Sequence, residues 1–224
     1  MRFTYSDLNL ELILSCESPT VLIIENRPLF SAITADLWDQ ACGIPGNIIL
    51  SENNEQLKPE KVSTVIINPF SINYNEKRIL NAAYKELSDI ANDIFFEKIA
   101  ETNSKIISIL DSIEKSVDFP VIYDIDLDFK SLLKAYNVKI DDQNSNLLDR
   151  IVSYTKLLHR ICNISLFIFI NLKSFFTDEQ LNALYKEMLY ENVILLDIES
   201  SDSNYHLSQE NYVIIDKDLC IINP

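Results

Sequence analysis

ISLFIFINLKSFFTDEQLNALYKEMLYENVILLDIE, residues 164–199, decides the fold. Leu166-Phe-Ile-Phe-Ile170 and Val193-Ile-Leu-Leu-Asp197 are apolar runs without polar alternation, and the stretch between them, Asp178 to Leu189, carries a helical pattern. Strands that are apolar on both sides belong to a sheet covered on both faces. The unit therefore predicts a parallel α/β core. Thr177 precedes the helix and Gln180 follows three residues later, the signature of a capping box in which each side chain satisfies an orphan amide of the first turn.

Cores of this kind usually hold a phosphate ligand on a glycine loop. This chain has two glycines in 224 residues, Gly43 and Gly46. A Walker A loop needs G-x-x-x-x-G-K-[ST], so that bare amides wrap the phosphates and Lys reaches them. The spacing here is wrong, and Asn47 stands where the Lys is required. A dinucleotide fingerprint is missing as well. Val193 to Asp197 has the form of a Walker B strand, but an Asp there is expected simply as the first polar residue after the core.

Working outward, Arg2 to Tyr5, Leu10 to Leu14 and Val21 to Glu25 read as strands. Pro28 opens a helix over Leu29 to Gln40, with Leu29, Ile33 and Leu37 on one face, and Gly43-Ile-Pro-Gly46 ends it. Ile48 to Leu50 is a short strand, Ser51 to Gln56 a polar loop, and Val62 to Asn68 a strand closed by Pro69. From Asn75 to Lys115 the pattern is helical, without glycine or proline. Ile79, Ala83, Leu87, Ile90 and Ile94 form one stripe, and Ile99, Ile106, Leu110, Ile113 and Val117 a second, near-heptad one interrupted by Asn103. This predicts a helical hairpin or one long bent helix, serving either as ordinary packing or as an extended arm.

After Asp118-Phe-Pro120, Val121 to Ile125 reads as extended, Phe129 to Tyr136 as a short helix, Val138 to Ile140 as extended and Asp141 to Asn146 as a loop. Leu147 to Ile161 is helical, with Leu147, Ile151, Tyr154, Leu158 and Ile161 inward. Asn211 to Ile222 predicts a terminal hairpin or edge strands. The expected organisation is an α/β head made of residues 1–72 and 138–224, and a helical leg of residues 73–137.

Composition restricts the function less. The chain is 47% hydrophobic and 24% charged, as soluble globular proteins are. Its longest apolar run is far too short to cross a bilayer and its beginning has no secretory pattern. Cys16, Cys42, Cys162 and Cys220 never form C-x-x-C, so buried or reduced thiols in a cytoplasmic protein are expected. A net charge of −15 argues against nucleic acid, although binding depends on one face rather than on the average.

Two clusters could carry chemistry. Asp124, Asp126 and Asp128 alternate with apolar residues and would share one face of an extended segment. Three such carboxylates suit a hard divalent cation, or else a solvated strand edge leading into a helix N-terminus. The basic residues gather on helical faces: Lys77, Arg78 and Lys85; Lys130 and Lys134; and Arg150, Lys156 and Arg160. These are solvated faces, or the lining for a phosphate backbone if an oligomer turns them towards one cavity. The two histidines, His159 and His206, read as surface or packing residues, and no G-x-S-x-G elbow exists.

Several segments together resemble a known family. Leu57-Lys-Pro-Glu-Lys-Val-Ser-Thr-Val-Ile-Ile-Asn68 leads into Ser71-Ile-Asn-Tyr-Asn-Glu-Lys-Arg-Ile-Leu80. Leu132-Leu-Lys-Ala-Tyr-Asn-Val-Lys-Ile140 comes next. Leu166-Phe-Ile-Phe-Ile-Asn171, Phe176-Thr-Asp-Glu-Gln-Leu181 and Val193-Ile-Leu-Leu-Asp-Ile198 follow in order. In this order they resemble the Csn family, small accessory adaptation proteins of type II-A CRISPR loci. The resemblance implies a head like that of P-loop ATPases and SMC proteins, without a working nucleotide loop, and a helical leg. It further implies a Ca²⁺-stabilised homotetrameric ring around double-stranded DNA, acting in spacer acquisition with the integrase proteins and the effector nuclease, and no catalysis. Carried onto this sequence, the calcium ligands would be Asp124, Asp126 and Asp128, and the DNA-lining residues Lys77, Arg78, Lys85, Lys130, Lys134, Arg150, Lys156 and Arg160. The sequence departs from the family where Cys162-Asn-Ile-Ser165 replaces a basic pair, and in the spacing of the acidic segment. Two other readings are a divalent-metal nuclease or phosphotransferase using the three aspartates, and a protein-interaction module using the arm.

Overall fold

The structure, a computed structural model, describes residues 1–142, 146–203 and 206–222. It divides into two compact units, one of Met1–Ile72 with Gln143–Pro224 and one of Asn73–Asp142.

The first unit holds two sheets. Strands β1 (Arg2–Tyr5), β2 (Leu10–Ile13) and β3 (Thr20–Ile24) precede helix α1 (Arg27–Ala41). Then come β4 (Ile48–Glu52), β5 (Glu55–Leu57), the one-turn helix α2 (Pro59–Val62) and β6 (Ser63–Ile66). The antiparallel sheet has the order β2-β1-β4-β5, with Phe3 facing Leu12 and Leu50 in register. Alternation puts Phe3, Tyr5, Leu10, Leu12, Ile48 and Leu50 inside, whereas Arg2, Glu11 and Ile13 face out. Ser51 to Gln56, expected as a loop, is instead a tight hairpin. Asn53 and Asn54 both take positive φ, the demand of a two-residue turn whose twist matches its strands.

The unit resumes with α3 to α5 of the second unit intervening in sequence: α3 (Lys77–Ile94), α4 (Phe96–Glu114) and α5 (Phe129–Ala135). After them come α6 (Leu147–Cys162), β7 (Leu166–Ile170), α7 (Asp178–Tyr190), β8 (Ile194–Glu199), β9 (Asn211–Ile215) and β10 (Ile221–Ile222). The six-stranded sheet runs β10-β9-β3-β8-β7-β6, parallel except for β10. Counted in chain order, its parallel strands lie fifth, first, fourth, third, second. Every residue of β3, β7 and β8 is buried, as a strand covered on both faces requires. The expected terminal hairpin forms, but β9 lies inside the sheet, paired with β3, rather than at its edge.

One face of this sheet, with Leu22, Ile24, Leu166, Ile168, Leu196 and Ile198, packs against Ile33 and Leu37 of α1 and the inner face of the antiparallel sheet. On the opposite face lie Val21, Ile23, Phe167, Phe169 and Leu195. α7 begins with the expected capping box, Thr177 Oγ1 accepting from the Gln180 amide and Gln180 Oε1 from the Thr177 amide. Gln40 on α1 closes the start of β4: its Nε2 donates to the Ile48 carbonyl at 2.8 Å and its Oε1 accepts from the Ile48 amide at 3.2 Å. Gln40→Ala would orphan both buried backbone groups. A loss of roughly 2 kcal/mol is expected in urea unfolding, with little change for an exposed neighbour such as Asp39→Ala.

A chain with two glycines needs other residues for left-handed backbone. Among the described residues, seven of the eight non-glycine positive-φ positions are asparagine: Asn9, Asn53, Asn54, Asn137, Asn163, Asn171 and Asn192. Asn tolerates this region better than other side chains because its amide bonds locally. Asn163 ends α6 and Asn171 follows β7 in this way.

The second unit is helical. α3 and α4 join at Phe95, the C-cap of one and the N-cap of the other, without glycine or proline. Tyr84 Oη donates to the Val138 carbonyl at 2.8 Å, and Asn75 bonds both the amide and the carbonyl of Ile140. Val138 to Ile140, expected as an extended part of the head, therefore forms no strand and belongs to the helical unit. The loop expected at Asp141 to Asn146 lies partly outside the described residues. The stripes on α3 and α4 are only partly covered. Ile79, Tyr84 and Ala91 are buried, whereas Ile94, Phe96, Ile109 and Ile113 are more than half exposed and α4 buries no residue.

Candidate functional site

The position of a phosphate loop in such a head is the turn between β3 and α1. Only Glu25 and Asn26 span it. The Glu25 amide bonds the Ile215 carbonyl, Asn26 Oδ1 caps α1 through the Leu29 amide at 3.1 Å, and Asn26 Nδ2 donates to the Lys217 carbonyl at 2.9 Å. The helix N-terminus, which would otherwise greet an anion, is thus closed by its own cap. Gly43 and Gly46 lie past the other end of α1. Gly43 has φ +85°, and a Cβ on Gly46 would sit 2.4 Å from Asp36 Oδ1, so both serve the turn itself.

The cations expected to line DNA fall into two groups. In the helical unit, Lys77, Arg78 and Lys85 lie along α3, and Lys130 and Lys134 one turn apart on α5, a helix that packs against α3. Lys77, Lys85 and Lys134 are exposed. In the α/β unit, Arg150, Lys156 and Arg160 lie on α6, where Arg150 and Lys156 have internal work. Arg150 Nη2 donates to the Ile72 carbonyl at 2.6 Å. Lys156 Nζ bridges Glu187 at 2.8 Å and Glu191 at 3.2 Å, joining α6 to α7, and this pairing raises its affinity for a proton. On the polar side of α6, Lys156 thus also serves as an interhelical tie.

The acidic segment joins no sheet and bends at Ile125 and Asp126. Val121 to Asp128 contains no strand and is held along α4 by Asn103 Nδ2, which donates to the Ile125 carbonyl at 2.7 Å, and by Tyr123 Oη, which donates to Asp111. The Asp111 bond holds the Tyr123 hydroxyl's pKa up at about 12. Asn103, which interrupts the apolar stripe, thus anchors this segment. Asp124 and Asp126 are exposed, but Asp128 caps α5, accepting from the Lys130 and Ser131 amides and the Ser131 hydroxyl. These bonds, the Ser131 hydroxyl foremost, hold its carboxyl below the usual carboxylate range. Among the described residues no three His, Cys, Asp or Glu side chains come together to hold a metal. Asp124, Asp126 and Asp128 of one chain therefore do not fit a calcium site. Their alternation suggested a shared face, and the coil and the cap undo it.

The densest polar cluster was not foreseen. At the C-terminal edge of the parallel sheet, Asp197 and Glu199 are buried inside β8, rather than Asp197 being the first residue past the core. Asp197 Oδ1 accepts from the Leu172 amide at 3.2 Å and Glu199 Oε1 from the Lys173 amide at 2.8 Å. Lys173 Nζ pairs with Glu210 Oε2 at 2.8 Å, and Tyr185 Oη donates to Glu210 Oε1 at 2.9 Å. Burial, then the neighbouring Glu199 charge, pushes the Asp197 carboxyl well above its ordinary range, and burial also raises Glu199. Burial and the surrounding carboxylates keep the Tyr185 hydroxyl protonated. The signal in the sequence is Asp197-Ile-Glu199, acids two apart on one face of an apolar strand.

These features define a class: an α/β head with its phosphate position closed, accompanied by a helical unit. Residues 43–219 match the family described as CRISPR-associated protein (Cas_Csn2), and the chain belongs to that family. No curated protein matches it. Among solved structures, a putative ABC transporter ATP-binding protein from Pyrococcus furiosus is similar at 11% identity, over 95% of this chain and 97% of that one, with a TM-score of 0.39. No helix among the described residues is long and apolar enough to cross a membrane.

Proposed function

We propose that this CRISPR-associated protein binds double-stranded DNA without sequence preference and without catalysis, as a homotetrameric ring acting in spacer acquisition beside the integrase proteins and the effector nuclease. Membership of the Cas_Csn2 family over residues 43–219 carries the reading. Two features of the helical unit support it. Its exposed Lys77, Lys85 and Lys134 are available to phosphates, and its exposed Ile94, Phe96, Ile109 and Ile113 offer apolar surface for self-association. With a net charge of −15, a lone chain repels a polyanion. Assembly that gathers the helical cations around one cavity overcomes this locally.

No step of this proposal runs through calcium, since Asp124, Asp126 and Asp128 of one chain do not come together to hold it. The test is retention of linear and closed-circular duplex DNA by the full chain, with Ca²⁺ and with chelator, alongside sizing in solution. Expected are salt-sensitive retention favouring free ends, intact DNA, and a tetramer. Loss of the tetramer in chelator would show that carboxylates from more than one subunit hold the cation. Cleaved DNA would replace the proposal with a nuclease, and no retention at low salt would overturn it.

A further inference from the structure

We propose that Asp197 and Glu199 share one proton at neutral pH and act as a proton-dependent latch, fastening the Leu172–Ser174 turn to the C-terminal edge of the parallel sheet. The cluster plays no part in the proposed DNA binding, and the latch stands or falls independently of it.

The geometry requires the proton. Asp197 is fully buried, flanked across the sheet by Val21 of β3 and Phe169 of β7. Its Oδ1 is occupied by the Leu172 amide, but its Oδ2, equally buried, has no donor among the described residues. A buried carboxylate oxygen without a donor is among the costliest groups to leave in a protein interior. The Glu199 carboxylate lies within hydrogen-bonding reach of Asp197, and two ionised carboxylates cannot bond each other. A proton on Asp197 turns Oδ2 into a donor to Glu199 and removes the orphan.

Charge balance reaches the same result. Around the pair stand Glu199 on β8 itself, Lys173 from the turn after β7, Glu210 from the segment before β9, and the Tyr185 hydroxyl from α7. Fully ionised, three carboxylates face one ammonium, and that ammonium is bonded to Glu210. One shared proton halves the excess negative charge. The two acids together hold the consecutive amides of Leu172 and Lys173, so the pair's protonation governs how tightly that turn is held.

The sign follows from linkage. A carboxyl raised on folding contributes stability that is complete below the ordinary carboxylate range and is lost as pH rises through its folded value. The latch is therefore tightest in acid and loosens progressively as pH rises from the ordinary carboxylate range to the folded titration of the pair. Asp197→Asn should lock it, since the amide Oδ1 accepts from Leu172 and its NH₂ donates to Glu199 with nothing to ionise.

Carbon-13 NMR of the side-chain carboxyls in the full chain tests this. Asp197 is expected to show the resonance of a protonated acid at neutral pH, and Glu199→Gln should move its titration to lower pH. An Asp197 that is ionised at neutral pH and titrates in the ordinary range overturns the proposal, as does a titration unmoved by Glu199→Gln. In amide exchange at Leu172 and Lys173, the opening constant of the wild type should rise about tenfold per pH unit relative to Asp197→Asn, between the unfolded and folded titrations. Identical pH dependence in the two proteins also overturns it. If Asp197→Asn fails to fold, the wild-type titration decides alone.

Discussion

Phe169→Ala is expected to lower the stability of the α/β unit by roughly 3–5 kcal/mol, the cost of removing a buried phenyl ring and leaving its cavity. Phe169 is wholly inaccessible and sits on β7 between β6 and β8, opposite Ile66 and Asp197 in register. With neighbours fixed on both sides, the site has little freedom to collapse. Against a total stability of about 5–15 kcal/mol this is a large fraction. For a chain of this length it corresponds to a melting temperature lower by roughly 6–20 °C. Thermal and urea unfolding read the loss, with Tyr190→Ala as control. Tyr190 is 84% exposed on α7, and a surface truncation of that kind changes stability by about 0.5 kcal/mol or less. Equal losses for the two variants would mean that β7 does not occupy the centre of the core.

The second large effect concerns DNA. Reversing three cations together, Lys77→Glu, Lys85→Glu and Lys134→Glu, is expected to weaken duplex binding by roughly two to three orders of magnitude at about 0.1 M salt. Each lost phosphate contact removes about 0.9 from the slope of log affinity against log salt. The slope should fall by about 2.7 in all, which distinguishes lost phosphate contacts from lost structure. Lys156→Glu provides the contrast. Its ammonium is already spent on Glu187 and Glu191, so the salt slope should stay unchanged while stability falls. A triple variant with wild-type affinity and slope would remove the helical unit from the interface.

The head was legible wherever burial alone shaped the sequence. Leu166 to Ile170 and Val193 to Leu196 read as covered strands because nothing in them is polar, and Thr177 with Gln180 marks the start of α7 by local chemistry. Failures came where one residue type serves two purposes. Asn53 and Asn54 looked like loop polarity, yet they supply the turn of a hairpin that glycine usually builds. Val121 to Asp128 alternates as a strand does, but among the described residues no strand pairs with it, and side chains of α4 hold it as coil. The cations of α6 were rightly placed on its polar side, but pattern cannot show that acids of α7 meet Lys156 there. The Asp197 cluster draws on residues 173, 185, 197, 199 and 210, brought together by sheet order rather than spacing.

That sheet order also fixes a timetable for synthesis. β3, near the start of the chain, pairs only with β8 and β9, strands that emerge from the ribosome some 170 or more residues later. The antiparallel meander and the helical segment can form from local contacts while translation continues, but the central strand must wait as an unpaired apolar edge until residue 215 is made. Such long-range closure makes folding slow and leaves the nascent chain open to wrong partners. A truncation ending before Asn211 should therefore expose Thr20–Ile24 and aggregate, even though it retains most of the mass of the head.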